Sequence, residues 1–160
     1  MIKRVVVLLL LMVFSLASMA EAKIAPDFTL PSYKGGSIRL ADLRGKVVYV
    51  DFWASWCGPC RKSFPWMNAM HKRYGTKGLV IVAVNLDREA ALANQFLKEL
   101  PPDFHVVFDP RGDVAKRYGI PGMPSSYIVD RNGRIQYSHI GFTETKKADL
   151  ESRIKAMLGK

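Results

Sequence analysis

The two cysteines of the chain, Cys57 and Cys60, are separated by Gly58 and Pro59 and follow a run of apolar and β-branched residues. Residues three positions apart are neighbours on a helix surface, so the two thiols can form and release a disulfide with little backbone motion. At the start of a helix, Cys57 would face unpaired N–H groups and the positive end of the dipole, which favour the thiolate. The spacing therefore predicts dithiol–disulfide exchange, in which Cys57 attacks a partner's disulfide and Cys60 resolves the mixed disulfide.

Two neighbouring cysteines are also compatible with half of a zinc site or with an inert structural disulfide. Zinc would need two further ligands, and the histidines, His71, His105 and His139, do not have a paired ligand spacing. A bridge that closes so short a loop removes little conformational entropy from the unfolded chain. We therefore favour a redox-active pair, and we predict neither a metal nor another cofactor.

A carboxylate, Asp51, lies within the otherwise apolar segment 47–53. If this segment is a strand buried on both faces, burial should raise the pKa of Asp51. Asp51 precedes Cys57 by six residues, so it could lie beneath the helix that carries the cysteines. We predict that it relays the proton that Cys60 loses when it attacks, although a strand aspartate that only faces solvent is the simpler alternative.

The elements that must position these residues alternate between strands and helices. The patterns predict strands at 47–53, 79–86 and 105–108, and helices at 59–74, 88–100 and 113–118, the last capped by Asp113. They also predict a hairpin with strands at 126–129 and 134–139 and a closing helix at 146–158. This order indicates an α/β protein with a mixed central sheet flanked by helices.

Length and composition indicate one globular domain without a disulfide scaffold. The chain has 160 residues, of which 49% are hydrophobic and 24% are charged, enough for a sizeable core. Its 24 Lys and Arg against 14 Asp and Glu give a net charge of +10, which suits acidic proteins, nucleic acid or anionic membranes. Because neither a glycine-rich phosphate loop nor an aromatic–basic stripe is present, we predict no nucleic-acid partner.

The first 22 residues have the three parts of a secretory signal peptide. Lys3 and Arg4 precede an apolar run that extends to about residue 17, and small residues follow up to Ala22. The run is shorter than the roughly 20 residues that a membrane-spanning helix needs. We predict a cleaved signal peptide at 1–22 and one domain at 23–160 in the periplasm, with an uncleaved membrane anchor at residues 5–20 as the alternative.

Taken together, the motifs resemble thioredoxin-fold proteins, and more closely the secreted TlpA/ResA/CcmG-type thiol-disulfide oxidoreductases. The resemblance extends from about residue 25 to 158. It rests on five motifs: APDF at 25–28, the segment at 40–45, VDFWASWCGPC at 50–60, Met123–Pro124 before a strand, and VDRNG at 129–133. It implies a thioredoxin fold with an N-terminal extension and with a helix and strand inserted at 88–108.

The resemblance also implies roles for residues around the cysteines. Pro124 would be a cis-proline packed against the disulfide, and Met123 would pair with the backbone of a substrate segment. Trp56, together with Gly58 and Pro59, would form the surface on which the substrate docks. Trp53 would pack beneath the site.

The chain departs from its relatives at two positions. Ala83 stands about where thioredoxin has the buried lysine that accompanies its strand aspartate. Some cytochrome-maturation members have an acidic residue between the two cysteines, and this chain has none. This difference weakens an assignment to cytochrome c biogenesis.

The Gly58–Pro59 pair matches the reducing type of thioredoxin-fold protein, so we favour a monomeric reductase of disulfide-containing proteins. A reductase outside the cytoplasm must be recharged, and the resemblance implies a membrane thiol electron donor. Two other functions stay open at this point. One is a thiol peroxidase of the peroxiredoxin type, and the other is a Cu(I)-handling module that uses Cys57, Cys60 and Met123.

Overall fold

The computed structural model describes residues 22–159, so the predicted signal peptide lies outside the described residues except for Ala22. The strands are β1 (Thr29–Pro31), β2 (Ser37–Arg39), β3 (Val47–Trp53), β4 (Leu79–Asn85), β5 (His105–Phe108), β6 (Ser125–Val129) and β7 (Ile135–Ile140). The helices are α1 (Gly58–Tyr74), α2 (Ala90–Glu99), α3 (Asp113–Tyr118) and α4 (Glu144–Leu158), with 3₁₀ turns at Leu40–Leu43 and Gly75–Lys77. Within residues 22–159, no helix is long and apolar enough to cross a membrane.

The central sheet is mixed, which confirms the predicted fold class. Its strand order is β5-β4-β3-β6-β7, with β3 parallel to β4 and antiparallel to β6. All seven residues of β3 are buried, as expected for a central strand covered on both faces. The inserted segment forms α2 and β5, and β5 extends the sheet in parallel beyond β4.

Two hydrophobic cores lie on the two faces of this sheet, because successive side chains of β3 point in opposite directions. Tyr49 and Trp53 belong to the core that contains α1 and both cysteines. Val50 and Phe52 belong to the other core, which α3 and the N-terminal residues cover. By this alternation Asp51 points to the same face as Tyr49 and Trp53, beneath α1.

The predicted N-cap of α3 is wrong. Asp113 is the first residue of the helix, Gly112 precedes it in a left-handed conformation, and the Asp113 side chain makes no cap hydrogen bond. Instead, the Asp109 carboxylate accepts hydrogen bonds from the backbone N–H groups of Asp113, Val114 and Ala115, at 3.0 to 3.1 Å. The turn through Gly112 brings the strand-end carboxylate under the first helical turn, so a residue four positions upstream performs the capping.

Candidate active site

Cys57 and Cys60 form a disulfide at the N-terminus of α1. Cys57 is the N-cap residue, and its Sγ accepts a hydrogen bond from the Cys60 N–H at 3.3 Å. Cys57 is 4% exposed, whereas Cys60 is 0% exposed. Of the two cysteines, Cys57 is therefore the one that retains some exposed surface.

The first turn of α1 favours a negatively charged sulfur on Cys57 when the pair is reduced. Its backbone N–H groups have no intrahelical acceptors, and this turn contains no acidic residue. Gly58 and Pro59, which lie between the two cysteines, are exposed. Pro59 costs no hydrogen bond here, because the N–H that it lacks would have no acceptor in the helix.

The loop before β6 also lies at this end of the sheet. Its Met123–Pro124 peptide bond is cis, and Pro124 is buried. Met123 is partly buried and packs against the core that contains both cysteines. The Pro124 carbonyl accepts a hydrogen bond from the Gly141 N–H at 2.8 Å, and the Ser125 hydroxyl donates to the Gly122 carbonyl at 2.6 Å. The loop is thus tied to its own strand and to the end of β7.

Asp51 is wholly buried in the middle of β3. One carboxylate oxygen, Oδ1, accepts a hydrogen bond from the Ser126 hydroxyl, while Oδ2 has no partner within the described chain. Burial raises the pKa of Asp51 to about 7, and the Ser126 hydrogen bond acts in the opposite direction. Ala83 is the residue paired with Asp51 on β4, so β4 places no cation beside the carboxylate.

Tyr49 and Trp53 place two further polar atoms on this face of β3. Among residues 22–159, neither the Tyr49 hydroxyl nor Trp53 Nε1 has a hydrogen-bond partner. The pKa of Tyr49 is raised well above its usual range, first by burial and then by the negative charge of Asp51. Tyr49 therefore stays protonated at neutral pH, so of these two β3 side chains Asp51 is the one that can change charge there.

Sequence reasoning missed a buried polar network that fixes the loop before Cys57. The Asp87 carboxylate is 5% exposed and accepts hydrogen bonds from the Ser55 N–H and the Ser55 hydroxyl, both at 2.9 Å. Asn85 donates to the same carboxylate at 2.8 Å and accepts from the Asp87 N–H at 3.1 Å. Polar residues directly after a buried parallel strand could have indicated this network, because functional groups gather at the carboxyl ends of such strands.

Trp56 is 72% exposed and borders a groove between α1 and α2. The Arg61 guanidinium lies over the Phe96 ring at 4.8 Å and pairs with Glu99 at 2.7 Å. Trp53, by contrast, is wholly buried, with its ring 4.7 Å from those of both Phe64 and Phe96. The inserted helix α2 thus forms one wall of the surface next to the disulfide.

The histidines do not form a metal site, although His139 on β7 is paired with Ser126, the hydrogen-bond partner of Asp51. Within the described part of the chain, no three His, Cys, Asp or Glu side chains form a group that could hold a metal ion. Burial lowers the pKa of His139 to about 4. His139 is accordingly neutral at physiological pH.

Comparisons with known proteins agree with this geometry. Residues 19–157 match the family model described as Redoxin. The thiol-disulfide oxidoreductase ResA of Bacillus thuringiensis subsp. konkukian (strain 97-27) is 34% identical over 137 residues, which are 86% of this chain and 78% of that protein. ResA of Bacillus subtilis (strain 168) is 35% identical over 139 residues, with the same coverage of 86% and 78%.

Among solved structures, a crystal structure assigned to a thiol:disulfide interchange protein, DsbE, of Chlorobium tepidum is 50% identical. The alignment covers 88% of this chain and 99% of that one, with a TM-score of 0.84.

Proposed function

The chain belongs to the Redoxin family and is a thiol-disulfide oxidoreductase, and from this premise we propose that it reduces disulfides in partner proteins in the periplasm. One observation carries the proposal. The Cys57–Cys60 disulfide lies at the start of α1, with Cys57 4% exposed and Cys60 completely buried. That difference supports attack by Cys57 and resolution by Cys60.

In the reduced form, the Cys57 thiolate attacks one sulfur of the partner's disulfide, and the other partner sulfur leaves as a thiolate. Asp51 then takes the proton of the Cys60 thiol. The Cys60 thiolate attacks Cys57 Sγ, so the Cys57–Cys60 disulfide forms and the second partner sulfur leaves. Two electrons pass to the partner, whose two thiolates take up protons, and the Asp51 proton returns to solvent.

We assign the docking of the partner to the exposed residues around Cys57. Trp56, Gly58 and Pro59 border the disulfide, and Met123 with cis-Pro124 lies at the same end of the sheet. The backbone of Met123 would pair with an extended segment of the partner, and this arrangement presents the scissile disulfide to Cys57. All of these residues belong to one copy of the chain, and we propose that the protein acts as a monomer.

The direction of electron transfer follows from the resemblance of Gly58–Pro59 to the reducing type. A membrane thiol electron donor would regenerate the reduced form after each turnover.

The signal-like segment at 1–22 supports export, with cleavage after Ala22. Sequencing the N-terminus of the protein from periplasmic extracts tests this step: a start at Lys23, or at Glu21 after cleavage at Ala20, supports cleavage, and an intact start would make the segment an anchor.

The reduction potential of the Cys57–Cys60 pair tests the direction, and it can be measured by equilibration with dithiol buffers of known potential. A value near or below about −270 mV would support a reductase, and a value near about −120 mV would make the protein an oxidant.

A second experiment tests the roles of the two cysteines. The Cys60→Ser variant should trap a mixed disulfide between Cys57 and the partner, whereas the Cys57→Ser variant should trap none. Turnover of hydrogen peroxide by the purified protein, without trapping, would assign a peroxidase instead.

A further inference from the structure

Basic side chains gather at the end of the sheet opposite the disulfide. Val47 pairs with Leu79 and Val48 with Val129, so β3 and β4 begin where β6 ends. The other ends of these strands, at Trp53, Asn85 and Ser125, face the cysteines. Seven residues of β3 separate the two ends by about 20 Å. The segments at the far end carry six basic residues, which we call the basic pole: Lys23, Arg44, Lys46, Lys77, Arg131 and Arg134.

Backbone hydrogen bonds hold the segments of the basic pole together. Two hydrogen bonds join Gly45 and Arg131. The Gly45 N–H donates to the Arg131 carbonyl at 2.9 Å, and Arg131 Nη1 donates to the Gly45 carbonyl at 2.7 Å. The Val47 N–H donates to the Gly78 carbonyl at 3.0 Å. Arg131 Nη2 also donates to the Leu158 carbonyl at 3.2 Å. The Arg131 guanidinium thus bonds to carbonyl groups, which leave its positive charge in place.

Few carboxylates offset these charges. The same segments carry Asp42 and Asp130, and the Asp130 carboxylate accepts hydrogen bonds from the Asn132 and Arg134 N–H groups at 2.9 Å within its own turn. Within residues 22–159, no ion-pair partner is present for four of these basic residues: Lys23, Arg44, Lys46 and Lys77. The Lys77 ammonium lies 5.5 Å from the centre of the Tyr74 ring. The pole therefore has a clear positive excess that faces solvent.

The chain enters the domain at this pole. The Ala25 N–H donates to the Gly133 carbonyl at 2.9 Å, and the Ile135 N–H donates to the Lys23 carbonyl at 2.8 Å. Ile24, between these contacts, is an apolar side chain that is 49% exposed. The described segment that follows the predicted signal peptide thus lies at the basic pole. If cleavage follows Ala22, the new terminal amino group adds a further positive charge there.

We propose that the basic pole docks on an anionic lipid bilayer and that the Cys57–Cys60 disulfide then faces away from the membrane. Charge complementarity and the exposed apolar side chain of Ile24 favour a bilayer over an acidic protein. Each lysine near an anionic surface strengthens binding by roughly fivefold. In this orientation soluble partners can reach the Cys57–Cys60 disulfide, whether the protein reduces or oxidises them.

Vesicle binding of the chain from Lys23 to Lys160, which contains both hydrophobic cores, tests the proposal. The protein should bind phosphatidylcholine vesicles that contain phosphatidylglycerol, should not bind pure phosphatidylcholine, and should dissociate as salt increases. The double variant Lys46→Gln/Lys77→Gln should bind about 25-fold more weakly. The matched control is Lys62→Gln/Lys98→Gln, which removes two exposed lysines at the disulfide end for the same change in net charge. It should bind within about twofold of the parent.

Hydrogen exchange on the vesicles tests the orientation. Bound protein should gain protection at 44–46, 75–78 and 130–134, and residues 55–60 should exchange as they do in solution. Equal losses in the two double variants would mean that net charge alone causes binding, and this would overturn the proposal. Protection at 55–60, or a lack of binding to anionic vesicles while the protein binds immobilised polyglutamate, would overturn it as well.

Discussion

The Ser126 hydroxyl donates a hydrogen bond to Asp51 Oδ1 across the β3–β6 pairing, and Asp51 Oδ2 has no partner in the described chain. One oxygen of the carboxylate is therefore fixed, and the other can accept a proton. Since burial raises the pKa of Asp51 to about 7, the carboxyl group can gain and lose that proton near neutral pH. Ser126 positions the group that we propose to relay the proton of Cys60.

We expect Ser126→Ala to shift the pH dependence of mixed-disulfide resolution to higher pH. The hydrogen bond lowers the pKa of Asp51, so its loss raises that pKa, and the ionised carboxylate that accepts the proton appears only at higher pH. Rapid-quench measurement of resolution rates over pH checks this. Ser125→Ala is the control, because its hydroxyl donates to the Gly122 carbonyl in the loop before β6 and not to Asp51. Identical profiles for the parent and Ser126→Ala would remove Ser126 from the mechanism.

Asp51→Asn should make the oxidised protein more stable at alkaline pH. The pKa of Asp51 is about 7 in the folded protein against a usual value of 3.8, so between these values the folded state binds more protons than the unfolded state. The free energy of unfolding therefore falls as pH rises through this window and stays lower above it. Asparagine removes this cost, which is up to about 4 kcal/mol.

Urea unfolding of the two proteins at a series of pH values measures this difference. The parent and Asp51→Asn should have similar stabilities near pH 4 and should separate as the pH approaches about 7. Curves that run parallel over the whole range would show that the carboxyl group has the same proton affinity in the folded and unfolded states.

The central elements could be predicted from the sequence because their patterns are local. The bounds of β3 and β5 agree with the predicted segments 47–53 and 105–108, since each is an apolar run between polar or turn residues. The burial of Asp51 follows from the same run. The closing helix was less well defined: α4 begins at Glu144, two residues before the predicted start, because Thr143 precedes the helix in an extended conformation.

The contacts that complete the site depend on which strands pair and in which register, and a single sequence does not give this. Ser126 reaches Asp51 over a separation of 75 residues, and Ser55 reaches Asp87 over 32 residues. The capping of α3 by Asp109 was missed for a local reason. The left-handed turn at Gly112 brings Asp109, rather than Asp113, to the helix start.

Asp87→Asn should reduce turnover with a protein disulfide by about tenfold, because an amide keeps the size of the carboxylate but has one acceptor oxygen in place of two. At least one of the hydrogen bonds from Ser55 is then lost, and the loop that carries Trp56 and Cys57 is no longer fixed. Steady-state kinetics measures kcat/KM. Unfolding in urea should show a loss of about 2 kcal/mol.

Asp109→Asn is the matched control for this variant. Asp109 is also a buried aspartate that follows a parallel strand, and its carboxylate binds backbone N–H groups of α3. It should lose a similar amount of stability while kcat/KM stays within about twofold of the parent. Equal losses of kcat/KM in the two variants would mean that stability, rather than the position of the Cys57 loop, controls turnover.

Trp56→Ala should weaken docking of protein substrates and leave the fold intact. Because Trp56 is 72% exposed, its removal should change the free energy of unfolding by no more than about 0.5 kcal/mol. We expect KM for a protein disulfide to rise by about tenfold, as for the loss of an aromatic contact in an interface, with little change in kcat. Tyr33→Ala, which removes an exposed aromatic from the loop between β1 and β2, should leave KM unchanged.

A small aromatic disulfide separates docking from reactivity in the Trp56→Ala variant. Such a substrate reaches Cys57 without the extended contacts of a protein segment, so its reduction rate should fall much less than that of the protein disulfide. The two rates can be compared in the same preparation by absorbance of the released thiol. An equal fall for both substrates would show that Trp56 acts on the reactivity of Cys57 itself and would remove it from the docking surface.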